Sequence, residues 1–286
     1  MKINKLFKFR DIPQLILRTL SKKFFKLLKK FFRLIPFNKE YSRGINEVLS
    51  KKLLRDNNIR DMRPSLIYSI EDVKISDYLI SITSDAIKKA HKLELKCGKK
   101  NLSDSKFLNE FPGEHYKIIN SIVNITNAKE VVEIGTYTGL GTLSIKEGFI
   151  SQGKITTYDL IAWNKLNKES HFVEKDFEDG SIKQLLGDLS NDEFFDKNFN
   201  TLNNADLIFM DAPKDDNFEY NMMKQLLKLE KKNGRLLILD DIKFINMIDL
   251  WRSIKSPKVD ISSFGHWSGT GIVDLSDGLK FSKLID

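Results

Sequence analysis

Cysteine is nearly missing from this 286-residue sequence. Cys97 stands alone, which excludes an internal disulfide, and the four histidines form no Cys/His cluster with zinc-site spacing. A reducing, cytoplasmic setting is the simplest expectation. No run of about 18 apolar residues exists, so no segment reads as a membrane span. A secretory signal is not expected either, because Arg18 and Lys22 interrupt the place of its apolar centre. Repeats and low-complexity tracts are also absent. What remains is an ordinary globular composition, 41% apolar and 30% charged.

The net charge of +8 is unevenly placed. Residues 1–56 carry 16 Lys/Arg against 4 acids, a net of +12, and the remainder carries −4. This split argues for one local electrostatic contact and against a nucleic-acid surface spread over the chain. With no recognised reading module, no nucleic-acid partner is expected. In the arm, residues 1–40, an apolar stripe (Leu15, Ile16, Leu20, Phe24, Leu27, Phe31) recurs at three- and four-residue spacings. Lys22, Lys26, Lys29 and Arg33 fill the opposite face, Asp11 can cap the start, and Pro36 stops the helix. A cationic helix over residues 12–35 suits the surface of an anionic membrane. The plainer alternative is a helix packed on its own domain with its lysines solvated.

Residues 41–110 read as a helical cap or connector, with helical periodicity over 76–95 (Tyr78, Ile82, Ile87, Ala90). Over 111–286 helices alternate with short apolar strands, which predicts an α/β fold with a mostly parallel sheet and helices on both faces. The strands are expected at 130–135, 154–159, 182–186, 206–211 and 235–241. The helices are expected at 114–125, 139–150, 219–232 and 244–254. A final antiparallel pair flanks residues 265–271. In such sheets ligands bind beyond the carboxyl ends of the strands.

At the first of those ends the apolar Val131-Val132-Glu133-Ile134 runs into Gly135-Thr136-Tyr137-Thr138-Gly139-Leu140-Gly141. The spacing G-x-x-x-G-x-G is not that of a dinucleotide loop, and no phosphate-loop Gly-Lys-Ser/Thr follows. Gly135 permits a sharp turn, and Gly139 and Gly141 are expected to leave room for a ligand. An acid two residues before the first glycine suits a cationic, phosphate-free ligand, and S-adenosylmethionine is one. Asp159, ending the second strand, is where an acid would accept ribose hydroxyls. Asp188, after the third, is placed for the adenine amino group. Three unrelated carboxylates at strand ends are the plainer reading.

The segment Glu133-Ile134-Gly135-Thr136-Tyr137-Thr138-Gly139-Leu140-Gly141 with its following helix resembles the first motif of class I S-adenosylmethionine-dependent methyltransferases. It is most similar to the O-methyltransferases related to catechol and caffeoyl-CoA O-methyltransferase, over about residues 111 to 275. The resemblance implies a Rossmann-like sheet whose last strand is antiparallel. It also implies cofactor contacts from Glu133, Gly135, Thr136, Tyr137, Gly139, Gly141, Asp159, Asp188 and Asp211, and a methyl acceptor that is a small or lipid-linked hydroxyl compound. Asp211 and the pair Asp240-Asp241 match the positions that hold Mg2+ or Ca2+ in the metal-dependent members, and Lys214 matches their base. Lys214 could take the proton if burial and a cation depress its pKa. Asp241 stands where the family has Asn, and Pro213 is a milder departure. Without a metal, His266 is the candidate base on a sugar or another nucleophile, since its ordinary pKa lies near neutrality. Trp267 could then wall the acceptor pocket. His91, His115 and His171 read as surface residues. A catalytically silent, membrane-peripheral protein on the same scaffold is the remaining alternative.

Overall fold

The computed structural model describes residues 74–97, 108–110, 113–166, 169–215, 217–244 and 247–282. The basic arm and its membrane-facing stripe lie outside the described residues, as does most of the expected cap. Among the described residues no helix is long and apolar enough to cross a membrane.

Seven strands form one sheet: β1 (Glu130–Ile134), β2 (Lys154–Asp159), β3 (Ile182–Leu186), β4 (Leu207–Met210), β5 (Leu236–Asp240), β6 (Lys258–Asp260) and β7 (Thr270–Asp274). Their order is β3-β2-β1-β4-β5-β7-β6. β1 to β5 pair in parallel, and β7 runs antiparallel to both β5 and β6. The expected fold class, a Rossmann-like sheet with a late antiparallel strand, is what the chain forms. The order reverses between β1 and β4, the position at which doubly wound sheets open a crevice for ligands.

The central strands β4 and β5 are apolar because both of their faces are covered. Leu207-Ile208-Phe209-Met210 and Leu236-Leu237-Ile238-Leu239 are buried at every position. Alternate residues serve opposite cores, as the two-residue period of a strand requires. Val132, Ile208 and Leu237 join Phe195, Met222 and Leu250 on one face. Val131, Leu207 and Leu236 join Ile119, Ile122 and Leu79 on the other.

Among the described residues these faces are covered by the α-helices α1 (Asp77–Lys92), α2 (Glu114–Thr126), α3 (Leu140–Gly148), α4 (Lys175–Glu178), α5 (Asp192–Asn204), α6 (Phe218–Leu226) and α7 (Met247–Ser253). α1 begins where the Ser76 hydroxyl accepts the Leu79 amide. It shares one core with α2 through Leu79, Ile82, Ala86 and Ala90. The described part of 41–110 therefore belongs to the helical layer of the sheet, with the Tyr78 hydroxyl donating to the Gly234 carbonyl 2.9 Å away. α5 was not foreseen, and α6 ends at Leu226, six residues before the expected 232.

Candidate active site

The loop after β1 is held in shape by its backbone. Gly135, Tyr137 and Gly139 have φ of 102°, 41° and 88°, so the turn passes through the left-handed region three times. Tyr137 is the one residue of the three with a side chain to strain there, and such strain concentrates at functional turns. The Tyr137 amide donates to Asp159 Oδ2 at 2.8 Å, and the Ile161 amide to Oδ1 at 3.1 Å. Asp159 thus ties the ends of β1 and β2 together. Each of its oxygens still has a lone pair for a ligand hydroxyl.

The glycines do something other than expected. A Cβ at Gly139 would strike the Phe172 ring, one at Gly141 the Glu133 carboxylate, and one at Gly135 the Asp211 carbonyl. Their missing side chains make room for the protein's own groups, which draws the loop tightly onto β4 and the 172 segment. Glu133 also departs from the expectation of a cofactor contact. Its buried Oε2 accepts hydrogen bonds from Thr142 and Thr157, the latter at 2.5 Å. Thr136 likewise turns inward, 2.7 Å from the Thr157 hydroxyl. Tyr137 and Asp188 are exposed at the rim, and Asp188 accepts the Ser190 amide at 2.8 Å.

Burial pushes the Glu133 carboxyl up to about 8, although the Thr142 and Thr157 hydroxyls oppose the shift. A carboxyl raised above its ordinary 4.5 contributes fully at low pH and costs stability as pH climbs toward its folded value. Between about pH 5 and 8 the unliganded protein should lose stability that Glu133→Gln retains, amounting to about 2–4 kcal/mol. Denaturant unfolding of both proteins across that range measures the difference. Parallel profiles would refute the buried acid.

A second cluster gathers past β4 and β5. Lys214 Nζ lies 2.7 Å from Asp211 Oδ1 and 2.7 Å from Asp241 Oδ2. Asp241 sits at φ 61°, a corner that turns its carboxylate back toward the end of β4. The loop before β7 is stitched over this corner, with the Lys243 amide donating to the Ser268 carbonyl at 2.8 Å and the Ile242 amide to that of Gly269 at 3.2 Å. This brings His266 Nδ1 within 3.2 Å of Asp241 Oδ1 and 3.4 Å of Asp240 Oδ2, while Ser268 Oγ donates to Asp241. Trp267 is half-buried with its ring beside that of His266.

These surroundings reverse two expectations. Burial would lower the Lys214 pKa, but Asp211, Asp241 and Asp240 outweigh it and raise it above the ordinary lysine value. Burial would lower that of His266 too, yet its bonds to Asp240 and Asp241 push it up to about 10. The carboxylates around them favour the protonated form of both side chains, which suits them to hold negative charge. His115, read from sequence as a surface residue, is buried at the start of α2 with its ring 4.7 Å from that of His266. Burial, and the neighbouring His266, lower its pKa against the pull of Asp240. His91 is exposed, whereas the backbone amide of His171 pins the glycine loop by donating to the Thr138 carbonyl.

The expected metal set, Asp211 with Asp240 and Asp241, is altered. Lys214 engages Asp211, and it is Asp240, Asp241 and His266 that present ligand atoms within 4.8 Å of one another. Asp240 Oδ1 is buried with no hydrogen-bond partner among the described residues, so the residues present fit a cation. A separate cavity of ≈ 490 Å³ lies at the amino ends of the strands, between Tyr78, Thr126, Asp206 and Gly234. Its carboxylate is already bonded to the Lys129 and Glu130 amides and to Lys232.

A family model described as O-methyltransferase matches residues 86–250, more than half of the chain. The chain belongs to the O-methyltransferase family. The match begins within α1, consistent with that helix sharing the sheet's core. Caffeoyl-CoA O-methyltransferase 2 of Eucalyptus globulus is 35% identical over 127 residues, 41% of this chain and 47% of that protein. A probable caffeoyl-CoA O-methyltransferase 3 of Dictyostelium discoideum is 23% identical and covers 68% of this chain and 78% of its own length. The chain spans about half the length of the first of these relatives. Among solved structures, an O-methyltransferase from Bacillus cereus in complex with SAH covers 68% of this chain and 90% of its own, with 16% identity and a TM-score of 0.39.

Proposed function

We propose that this family member transfers the methyl group of S-adenosylmethionine to a hydroxyl of a small or lipid-linked acceptor. One observation carries the reading: the strained glycine loop with Asp159 and the Asp211–Lys214–Asp241 cluster stand at the same edge of the sheet, around the β1/β4 switch point. The loop and Asp159 would hold the nucleoside end of the cofactor, with Asp188 at the rim beside it. The cluster would face the methyl group and the acceptor.

Methyl transfer is an in-line displacement in which the acceptor oxygen forms a bond to carbon as the carbon–sulfur bond breaks. Alignment supplies much of the acceleration, about 7–11 kcal/mol in favourable cases. Lys214, held charged by its carboxylates, would stabilise the oxygen as it loses its proton. The cluster carboxylates are the acceptors within reach of that proton, and burial together with Asp240 and Asp241 raises the pKa of Asp211, making it the more basic. A divalent cation held by Asp240, Asp241 and His266 would add Lewis-acid polarisation of the hydroxyl. A proton-loaded His266 speaks against the metal-free reading in which it is the base.

Calorimetry of the full chain with S-adenosylmethionine tests the cofactor assignment. One binding event is expected, and Asp159→Ala should weaken it by about ten-fold or more through lost charge-assisted hydrogen bonds. Absence of heat would overturn the assignment and favour the silent-scaffold alternative.

A further inference from the structure

Glu133 has no task in the reaction described above, yet it lies at the centre of the site. Its side chain is 1% exposed near the carboxyl end of β1, the strand between β2 and β4. Both flanking strands run into acids beside Gly135. The Gly135 amide bonds to the Tyr158 carbonyl, one residue before Asp159, and the Asp211 amide bonds to the Ile134 carbonyl. Among the described residues the side-chain partners of Glu133 are hydroxyls, with Thr142 and Thr157 both donating to Oε2. Its Oε1 lies against Gly141, where a Cβ would strike it. The ammonium of Lys214 is taken by Asp211 and Asp241. Tyr116, from α2, also faces Glu133, and it is a neutral phenol whose pKa is raised by burial. A buried carboxyl with an acid on either side and no cation favours its neutral form. Burial accordingly raises it to about 8. Hydroxyls donate or accept by rotating, so the same frame holds the acid and the carboxylate. The Thr136 hydroxyl, 2.7 Å from that of Thr157, continues the chain into the glycine loop.

We propose that Glu133 is a proton-coupled counter-charge for the cofactor, neutral in the unliganded protein and ionised when S-adenosylmethionine binds, its proton passing to solvent. The inference rests on the cofactor reading above. It makes Glu133 a positioning residue that acts from beneath the loop, without touching the ligand. S-adenosylmethionine carries a sulfonium and an ammonium against one carboxylate, a net charge of plus one. A cation near a carboxyl favours the ionised form and so lowers its pKa. Binding therefore expels a proton below the unliganded value and tightens as pH rises toward it, then levels off above it. The product S-adenosylhomocysteine has a neutral sulfur and no net charge, so it should leave the proton in place. Glu133 would then favour the charged cofactor over the spent one.

Infrared difference spectroscopy of the full-length protein reads the proton through the carbonyl stretch of a protonated carboxyl. Carbon-13 labelling of glutamate separates that band from the band of an aspartic acid. The unliganded protein at neutral pH should show a glutamic acid band, lost on titration with a midpoint of about 8. Saturating S-adenosylmethionine should remove most of it at neutral pH, and saturating S-adenosylhomocysteine should not. Glu133→Gln, which keeps the volume, should lack the band. Calorimetry supplies the linkage. From about pH 6 to about pH 9, S-adenosylmethionine affinity in the wild type should rise about ten-fold relative to Glu133→Gln, and S-adenosylhomocysteine affinity less than about three-fold. Thermal unfolding establishes that the variant is folded, and the labelled wild type decides alone if it is not. The proposal is overturned if the unliganded protein shows no glutamic acid band, if the band survives saturating S-adenosylmethionine, or if S-adenosylhomocysteine removes it equally. Binding heat with an unchanged band sinks this proposal alone, whereas absence of heat sinks the cofactor reading and this proposal with it.

Discussion

Gly135→Ala is expected to abolish cofactor binding and to destabilise the domain by more than any other single methyl group added in the loop. A Cβ there would lie 2.7 Å from the Asp211 carbonyl carbon and closer still to its oxygen, both of them backbone atoms of the chain leaving β4. Neither can rotate away. The residue also holds φ at 102°, outside the region open to alanine. The strain and the clash together should lower unfolding free energy by about 3–5 kcal/mol, in the range reserved for special backbone positions. Because the loop and Asp211 would move together, S-adenosylmethionine affinity should drop by about 100-fold even at temperatures where the variant is folded. Gly180→Ala provides the control. It too has a positive φ, 68°, but nothing lies within 4 Å of its added carbon, so a loss of only about 1 kcal/mol is expected. Denaturant unfolding of the pair, with calorimetry on each, checks both figures. Equal losses would mean that the contact with Asp211 is immaterial.

The same loop shows what a sequence reading can and cannot reach. The strands that run into Gly135 and Asp159 are visible as runs of β-formers, and the parallel order follows from the intervening helices. The direction in which a missing Cβ would have pointed is not visible, because it depends on neighbours distant in sequence. Glycines read as leaving space for a ligand instead accommodate Phe172, Glu133 and Asp211. α5 escaped notice for a different reason. Of its 13 residues only Phe195 and Leu202 are buried, too thin a stripe to give a helical period, although Asn191 caps it and Asp192 and Glu193 suit its first turn. His115 carried no signal, since its importance comes from a loop about 150 residues later that places His266 against it. The charged residues Asp211, Lys214, Asp240 and Asp241 were legible by position, but their pairing was not. Sequence put a metal among the three carboxylates, and the fold puts an ammonium between two of them.

That pairing leads to the second large effect. Lys214→Met should destabilise the protein by about 3 kcal/mol near neutral pH, the low end of the range for breaking a buried ion pair. The low end applies because Asp211 keeps 35% of its side-chain surface in water and regains solvent when the ammonium goes, whereas Asp241 keeps 18%. The pH dependence has a definite sign. Lys214 has its pKa raised above the ordinary 10.5, so its contribution is present below that pH and fades only in strong alkali. Asp241 has its pKa lowered from the ordinary 3.8, against burial, by His266 and Lys214, so its contribution is present above that pH and is lost in acid. The gap between wild type and Lys214→Met should therefore be widest between about pH 5 and 9, begin to narrow below about pH 4 and close only in stronger acid, as the carboxylates take up protons. Adding Asp211→Asn to Lys214→Met should restore part of the loss, because it removes one of the two charges left facing each other. Urea unfolding of the three proteins at several pH values measures all of this. A gap that persists unchanged at pH 3 would show that Lys214 contributes through the packing of its stem and not through the charge it places between Asp211 and Asp241.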